Sequence, residues 1–272
     1  MLRNFRAVAV MLTIAAAVFA SAVASPAAAG CADQFAGETA PALTNPRLAQ
    51  RTEPLCFRAF AVLYSGITRT PLYSAEHLTA DRIEAAREVG RVNMFHPEER
   101  LPAEWRAELS DYSRSGYDRG HMSPSGDMPD EASQAESFSL ANMVPQAPKL
   151  NRGVWEGIES AVRDLALRDG SVFVVTGPLF QGQELQALKG RVLVPSDTFK
   201  AVYDPARGGA GAYVCTNTNE PACREVSVAD LGRLSGIDVF PSLPESVKAT
   251  AMPLPEPRPH RARRHRHPRY GG

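Results

Sequence analysis

Five polar side chains that could together hydrolyse a phosphodiester bond fall within about fifty residues near the middle of the chain. They are a histidine, two arginines, an asparagine and a glutamate: His121, Arg119, Arg163, Asn151 and Glu159. Such hydrolysis requires a base that deprotonates water and positive groups that stabilise the extra charge of the transition state. This set of side chains supplies both, and it predicts a nuclease.

His121 is the candidate general base, because the unperturbed pKa of histidine, about 6.5, allows the ring to accept a proton near neutral pH. Arg119 lies two residues earlier, so in an extended segment both side chains leave the same face. Its guanidinium stays charged and can bind two phosphate oxygens at once. Gly120 between them has no Cβ, which permits close approach of a substrate or a neighbouring backbone.

A helix is predicted from Asn151 to about Asp169, because apolar residues recur at helical spacing before a stop signal at Gly170. The apolar stripe consists of Val154, Trp155, Ile158, Val162, Leu165 and Ala166. Asn151 falls in line with the stripe in the first turn, so its amide is expected to point inward. Glu159 and Arg163 flank the stripe four residues apart and can pair.

An asparagine amide as the main protein ligand indicates Mg²⁺, a hard cation that prefers oxygen ligands and keeps several waters. Mn²⁺ or another divalent cation is the alternative. Glu159 begins about 12 Å along the helix axis from Asn151. Its side chain leans back toward the helix N-terminus, so it is expected to act on the metal through a water. Zinc is not expected, because the sequence contains neither His-Glu-x-x-His nor a Cys-x-x-Cys pair.

The order and spacing of these residues resemble the endonuclease G-like family of DNA/RNA non-specific endonucleases. The first matching motif is Asp118-Arg119-Gly120-His121, and the second runs from Asn142 to Pro145-Gln146. The third is Leu150-Asn151 followed at four-residue intervals by Trp155, Glu159 and Arg163. The resemblance continues through residues 174–180, 194–201 and 234–241, and it covers roughly residues 56–245.

This resemblance implies a role for each matching residue. His121 would be the general base, and its neighbour Arg119 would serve the same site. Asn151 would be the sole direct metal ligand. Glu159 would bind a water of the metal, and Arg163 would lie on the phosphate side.

Arg91 is the best match to an upstream arginine that contributes in the family. The implied fold is a mixed α/β (α+β) nuclease with a ββα-metal core and a central antiparallel or mixed sheet flanked by helices. In it a strand carries the histidine and the following helix carries the metal ligand. Asp118 is expected to be structural, holding Arg119 or a loop amide. Asn142 and Gln146 are expected in turns that line the site.

Residues 1–29 are predicted to be a secretory signal peptide, with a basic start, an apolar run over residues 7–23 and small residues at 27–29. The apolar run is short and rich in alanine, so a retained membrane anchor is not expected. Export permits disulfides, and the four cysteines are expected to pair as Cys31–Cys56 and Cys215–Cys223. The mature protein is therefore predicted to be secreted or periplasmic, without stable membrane association.

Residues 30–248 are predicted to form one endonuclease domain, since no internal repeat is evident. Strands are predicted over residues 57–65, 171–176, 191–194, 198–203 and 211–215, and short helices over 80–88 and 227–234. The 30 basic and 30 acidic residues of the chain balance, but residues 253–272 contain six arginines and one glutamate. Residues 249–272 are therefore predicted to be a disordered basic tail that either tethers nucleic acid by counterion release or only extends into solvent.

Together these features predict a secreted, Mg²⁺-dependent endonuclease that cuts DNA and RNA with little sequence preference. Because the expected nucleophile is water, the reaction needs no ribose 2′-hydroxyl. Two alternatives are a non-catalytic nucleic-acid-binding or uptake protein on the same fold and an antibacterial effector nuclease. An inhibitor or immunity protein is a candidate partner besides the nucleic acids.

Overall fold

The computed structural model describes residues 29–257 of the chain. The predicted signal peptide up to residue 28 and the predicted tail from residue 258 lie outside the described residues. The strands are β1 (Ala42–Leu43), β2 (Thr52–Cys56), β3 (Ala61–Ser65), β4 (Thr70–Thr79), β5 (Asp118–His121), β6 (Met143–Gln146), β7 (Ser171–Leu179), β8 (Ala187–Leu188), β9 (Val192–Leu193), β10 (Asp197–Asp204), β11 (Gly209–Thr216), β12 (Cys223–Val226) and β13 (Ile237–Asp238). The helices are α1 (Ala80–Glu88), α2 (Leu109–Tyr112), α3 (Glu131–Ser137), α4 (Glu156–Asp169), α5 (Val228–Ser235) and α6 (Glu245–Ala249).

A seven-stranded sheet in the order β12-β11-β10-β7-β4-β3-β2 forms the centre, and every neighbouring pair is antiparallel. Both faces of the sheet are covered, because successive residues of a strand point to opposite sides. Val174 on β7 packs in a cluster with Ile158 and Val162 of α4. The next residue, Val175, packs in a second cluster with Leu231 of α5. The mixed α+β class predicted from the sequence is confirmed.

Most of the predicted elements lie within observed ones, with two exceptions among the strands. Residues 171–176, 198–203 and 211–215 fall inside β7, β10 and β11, and the two short helices match α1 and α5. Residues 57–60 form a bend ahead of β3, in which Phe57 N donates to Phe60 O at 3.0 Å. Residues 191–194 contribute only β9, which pairs with β8 outside the main sheet. Both exceptions are short, largely apolar segments, and the alternation of apolar and polar residues alone does not determine whether such a segment pairs with a strand of the main sheet.

The strand that carries the histidine, β5, pairs with β6, and the chain then enters the helical segment that contains Asn151. In this antiparallel pair His121 is opposite Met143, and Gly120 is opposite Val144. A Cβ on Gly120 would collide with the side chain of Gln146, so the glycine admits a neighbouring side chain rather than a backbone. Gln146 was expected to line the site from a turn, but it is fully buried in β6. The predicted strand, strand and helix arrangement is confirmed.

The helix predicted over residues 151–169 has two parts. Leu150–Trp155 is a π-helical turn that contains the non-helical Gly153, with φ −120° and ψ −112°. The regular helix α4 follows and ends at Gly170, which has φ +90°. The predicted stripe is confirmed within α4, where the buried side chains include Ile158, Val162, Leu165 and Ala166. Asn151 therefore lies in the π turn and not in a regular first turn, because glycine is a poor helix former and interrupts the register.

Both predicted disulfides are present. Cys31–Cys56 joins the N-terminal segment to β2, and Cys215–Cys223 joins β11 to β12. No helix among residues 29–257 has the length and apolar character needed to cross a membrane.

The packed part of the chain extends beyond the predicted domain boundary at residue 248. Met252 N donates to Ala210 O at 2.8 Å, and the side chains of Met252 and Leu254 are buried in the cluster beneath α4. The Tyr213 hydroxyl donates to the carbonyl oxygen of Pro255. The tail boundary predicted at residue 249 is therefore too early, because two apolar side chains suffice to dock this proline-rich segment along β11.

Candidate active site

All six side chains predicted for the site line one cleft of about 840 Å³. They are Arg91, Arg119, His121, Asn151, Glu159 and Arg163. The first lies in the connection after α1, the next two on β5, and the remaining three on the π turn and α4. The pairing of β5 with β6 brings the histidine strand beside the segment that leads into the π turn.

His121 is only 8% exposed and lies among aromatic rings. It packs edge-to-face against Phe138, with ring centroids 4.9 Å apart, and is tilted against Phe95 at 5.8 Å. Within the described residues its buried Nε2 atom has no hydrogen-bond partner. Burial, followed by the charges of Arg91 and Arg119, lowers the pKa of His121 to about 3. The ring is therefore unprotonated throughout the physiological range, as a general base must be, but it is a weaker base than a free imidazole and lacks the titration near pH 6.5 that the sequence predicted.

The low pKa of His121 predicts a pH dependence of stability. Above pH 6.5 the ring is neutral in both the folded and the unfolded protein, so its titration contributes nothing. Below about 6.5 the unfolded chain takes up a proton that the folded protein refuses until about pH 3. Stability is therefore lost as pH falls through this window, at up to about 1.4 kcal/mol per pH unit.

Urea unfolding of the wild type and His121→Gln at pH 7, 6 and 5 measures this contribution, because other groups titrate equally in both proteins. The glutamine variant has no imidazole to protonate, so its free energy of unfolding should fall less steeply with acid. Parallel curves for the two proteins would show that the folded state accepts the proton, contrary to a pKa near 3.

Arg119 and Arg91 are both held beside the histidine by contacts with aromatic rings. The Cζ atom of Arg119 lies 4.0 Å from the centroid of Phe95, and that of Arg91 lies 5.4 Å from Phe138. Arg91 Nη1 also donates to Ser125 Oγ at 2.9 Å. A cation–π contact of this kind leaves N–H groups of a guanidinium able to donate hydrogen bonds to phosphate oxygens.

Asn151 is fixed by Asp118, the first residue of β5. Asn151 Nδ2 donates to Asp118 Oδ2 at 3.0 Å. The same carboxylate accepts from Arg152, with Nη2 to Oδ1 at 2.5 Å and Nε to Oδ2 at 2.8 Å. Asp118 was predicted to hold Arg119 or a loop amide; it holds the Asn151 amide and Arg152 instead, because the π turn packs beside the start of β5. With Nδ2 engaged, Oδ1 is the donor atom that Asn151 can offer to a cation.

Arg163 pairs with Asp127 and not with Glu159. Its Nη1 atom donates to Asp127 Oδ1 at 2.7 Å, and its Nη2 atom donates to Ser160 Oγ at 2.9 Å. The predicted Glu159–Arg163 pair at four-residue spacing is therefore wrong as a direct contact. Asp127, a buried carboxylate from another segment, forms the direct charge-assisted pair with this arginine.

Glu159 lies in the cleft next to this arginine. Burial raises the pKa of the Glu159 carboxyl to about 7, while Lys200 and Arg163 partly counteract the rise. A carboxyl group of this pKa changes charge near neutral pH, so a cation or a positive group in the cleft would favour its ionised form.

Comparison with known proteins places the chain in a family. A model of the family described as DNA/RNA non-specific endonuclease matches residues 40–246. The chain belongs to this family. The match includes all six side chains of the cleft and the whole central sheet.

Three relatives of this chain show how far the similarity extends. The mitochondrial nuclease EXOG of Danio rerio is 36% identical over 203 residues, which cover 66% of this chain and 58% of the relative. Nuclease C1 of Cunninghamella echinulata var. echinulata is 32% identical, covering 68% of this chain and 81% of the relative. The mitochondrial nuclease of Saccharomyces cerevisiae is 31% identical, covering 70% and 66%. The chain thus spans little more than half the length of EXOG.

The solved structure of the EndoG/EndoGI complex, which describes EndoG inhibition, has a similar fold. Its TM-score is 0.65 at 24% identity, and the similarity covers 78% of this chain and 97% of that one. The ββα-metal architecture expected from the motifs is thereby confirmed at the level of the fold.

Several residues that shape this cleft were not predicted from the sequence. Asp127 and Ser125, which bind Arg163 and Arg91, follow the histidine by a few residues but belong to no recognised motif. Asn142 was expected to line the site; it is fully buried and instead accepts from Ser123 N at 2.9 Å, which fixes the chain after β5. Only its position in a short turn was predicted correctly.

A layer of buried charge lies beneath the cleft. Glu76 on β4 is 1% exposed, and within the described residues neither of its carboxylate oxygens has a hydrogen-bond partner. Burial, followed by the nearby Asp127, raises the pKa of Glu76 to about 8. Lys200 on β10, which the sequence did not place in the site, donates from Nζ to Thr176 Oγ1 at 2.7 Å. Lys200 is thus a core residue whose charge lowers the pKa of Glu159 in the cleft, whereas the raised pKa of Glu76 keeps that carboxyl mostly protonated near neutral pH.

Proposed function

We propose that this protein is a metal-dependent endonuclease that hydrolyses the phosphodiester bonds of DNA and RNA with little sequence preference. The observation that supports this most strongly is the neutral His121 beside two arginines, in the same cleft as Asn151 and Glu159. A base, cationic groups and hard oxygen donors are the three components that phosphodiester hydrolysis requires. Family membership supports the same reaction.

The residues of the chain would divide the work as follows. His121 takes the proton from the attacking water through a ring that is neutral at physiological pH. Arg91 and Arg119 bind the phosphate oxygens, and Arg163 adds positive charge from α4. Because water is the nucleophile, a ribose 2′-hydroxyl is not needed, so both DNA and RNA would be cut. By resemblance to the family, the products would carry 5′-phosphates.

Mg²⁺ is the proposed cofactor, with Mn²⁺ as a substitute. Residues 29–257 contain no group of three or more His, Cys, Asp or Glu side chains placed to hold a metal ion. The donors in the cleft are the Asn151 amide oxygen and the Glu159 carboxylate, which are hard oxygen atoms of the type that Mg²⁺ prefers. When bound, the cation would neutralise charge that develops on the phosphate. Asp118 keeps the asparagine amide in one orientation for that purpose.

A cleavage assay with a chelator tests the proposal. Supercoiled plasmid and single-stranded RNA are incubated with the purified protein in Mg²⁺, then in EDTA, and then after Mg²⁺ is restored. We expect both substrates to be degraded, the reaction to stop in EDTA and to resume afterwards. His121→Ala, prepared identically, controls for contaminating nucleases. Binding without cleavage in Mg²⁺ would instead support a nucleic-acid-binding or uptake protein.

We further propose that the protein is secreted or periplasmic. The basic and apolar start of the sequence and the two disulfides support an oxidising compartment. N-terminal sequencing of the mature protein checks the expected cleavage after Ala29. A protein inhibitor is a candidate partner, supported by the similar fold of EndoG in its complex with EndoGI.

The basic tail is expected to strengthen binding to long nucleic acid without affecting catalysis. Because residues 251–255 pack against the sheet, the truncation that tests this ends after Pro257 and removes six arginines. The truncated protein should cleave a short oligonucleotide at an unchanged rate at saturating substrate. Its affinity for long DNA should be lower at low salt, with a flatter slope of log affinity against log salt concentration.

The same binding series provides the control for the truncation. The difference between the two proteins should fade as salt rises and screening shortens. An unchanged salt slope would mean that the tail does not contact phosphate, and it would leave the solvating extension as the better interpretation.

A further inference from the structure

A short turn between β5 and α3 contacts two of the arginines in the cleft. It is the 3₁₀ turn Ser125–Asp127, which belongs to none of the sequence motifs described above. Ser125 Oγ accepts from Arg91 Nη1 at 2.9 Å, and Asp127 Oδ1 accepts from Arg163 Nη1 at 2.7 Å. These arginines are distant in sequence, so this turn is the element that relates their positions.

The middle residue of the turn, Gly126, lies beside the second arginine. A Cβ built on Gly126 would lie 3.3 Å from Arg163 Nη1 and 3.7 Å from its Cζ. The guanidinium therefore lies close to the space that a side chain at position 126 would occupy, while Asp127 holds its Nη1 atom. An alanine at this position would press on the guanidinium without removing any hydrogen bond.

The turn is itself firmly attached to the core. Ser123 Oγ forms a 2.8 Å hydrogen bond with Ser74 Oγ on β4, and Ser123 N donates to Asn142 Oδ1. Asp127 N donates to Pro124 O at 3.0 Å, which closes the turn. The position of the turn relative to β5 is therefore fixed by the central sheet, independently of the arginines.

The ion pair between Asp127 and Arg163 is largely sheltered from water. The side chain of Asp127 is 3% exposed and that of Arg163 is 21% exposed. A charge-assisted hydrogen bond in such surroundings is strong and directional, unlike one on an open surface. It restricts the guanidinium to one position, which is the preorganisation that electrostatic stabilisation of a transition state needs.

We propose that the Ser125–Asp127 turn is the positioning element that aims Arg91 and Arg163 at the phosphate of the bound nucleic acid. Ser125 and Gly126 also line the cleft, but the role proposed for the turn is exerted through the two arginines. The proposal rests on the proposed function, because it assigns the arginines to the scissile phosphate. It extends that function by naming what holds them in place.

Two substitutions displace Arg163 by different routes. Asp127→Asn keeps the size of the side chain but removes the charge that holds the guanidinium, and Gly126→Ala pushes the guanidinium sterically. Each should lower kcat/KM by roughly 10-fold or more, the usual effect of removing an orienting partner. Asp127→Glu should recover part of the loss, since its carboxylate can reach the same atom.

A double-mutant cycle shows whether these residues act through the arginine. Arg163→Ala alone should cause a large loss, and adding Asp127→Asn or Gly126→Ala should cause little more. Ser125→Ala should show the same behaviour with Arg91→Ala and should be additive with Asp127→Asn. Losses that simply multiply in the Arg163 cycles would overturn the proposal.

Asp130→Ala is the matched control, because Asp130 caps α3 nearby but contacts no arginine of the cleft. Its side chain accepts from Ser133 N at 2.8 Å. Loss of this cap should lower Tm by about 2–4 °C while kcat and KM stay unchanged. If Asp130→Ala reduced kcat/KM as much as Asp127→Asn does, the turn would be merely structural and the proposal would fail.

A binding measurement separates failure of this proposal from failure of the proposed function. Affinity for a short DNA oligonucleotide in EDTA is measured by fluorescence anisotropy for each variant and for the wild type. Asp127→Asn and Gly126→Ala should both weaken binding, even if the wild type proved inactive. Unchanged affinity and unchanged kinetics in both folded variants would refute the positioning role, whereas a wild type that binds without cleaving would refute only the nuclease.

Discussion

His121→Ala is expected to lower kcat by roughly 10²–10⁴-fold, the usual contribution of a general base. The imidazole is the neutral acceptor in the cleft; it packs against two aromatic rings, and no described residue hydrogen-bonds to its Nε2. Alanine leaves the arginines and the proposed metal ligands in place, so binding of the oligonucleotide in EDTA should persist. Single-turnover cleavage of a fluorescent oligonucleotide, with circular dichroism to check folding, measures the effect.

The pH profile provides a second criterion for the same residue. Because the pKa of His121 is lowered to about 3, the wild-type rate should not fall with a midpoint near 6.5 that is attributable to imidazole. A folded alanine variant with near-wild-type turnover would remove His121 from the mechanism. Glu159, whose carboxyl pKa is raised to about 7, would then be the alternative base.

Asn151→Ala is expected to abolish detectable cleavage at millimolar Mg²⁺ or to require far higher concentrations. The amide oxygen is the one proposed direct ligand, and Asp118 holds it in place. Glu159→Ala should be impaired less completely, because a carboxylate that acts through water contributes less than a direct ligand, typically 10–100-fold in affinity or activity. Titration of the initial rate with Mg²⁺ for the wild type and both variants measures the difference.

The control for this substitution is another asparagine far from the cleft. Asn45 caps a short 3₁₀ turn, where its Oδ1 accepts from Arg47 N, so Asn45→Ala should leave the Mg²⁺ dependence unchanged. Full activity of Asn151→Ala at low Mg²⁺ would refute the assignment of the metal ligand. If all the variants changed Tm but not the Mg²⁺ dependence of the rate, the substitutions would act on folding and not on metal binding.

Local patterns were sufficient to predict the elements that carry the site. A continuous apolar run gave β7, and helical spacing of Ile158, Val162 and Leu165 gave α4, because each pattern records which face is buried. The motif containing His121 and the helix containing Glu159 are each a continuous stretch of sequence, so residue types and spacing identified each of them. That they share one cleft follows from the pairing of β5 with β6, which the resemblance to the family implied.

Contacts between distant segments could not be predicted in this way. The choice of Asp127 over Glu159 as the partner of Arg163 depends on where the turn after β5 lies, and no local rule gives that position. The low pKa of His121 depends on Phe95 and Phe138, which come from two other segments. Docking of residues 252 and 254 was missed because the prolines of this segment continue into the basic tail beyond it.

The π-helical turn at Leu150–Trp155 also bears on how such a site tolerates insertions and deletions. A π turn contains one residue more than an α-helical turn, and each residue of an α-helix rotates the next by about 100°. Deleting the codon for Gly153 would allow a continuous α-helix, but it would turn Asn151 away from its present angle relative to Glu159 and Arg163. The number of residues between Asn151 and Glu159 therefore fixes the relative orientation of their side chains. Substitutions at neighbouring positions cannot restore that orientation once a residue is deleted.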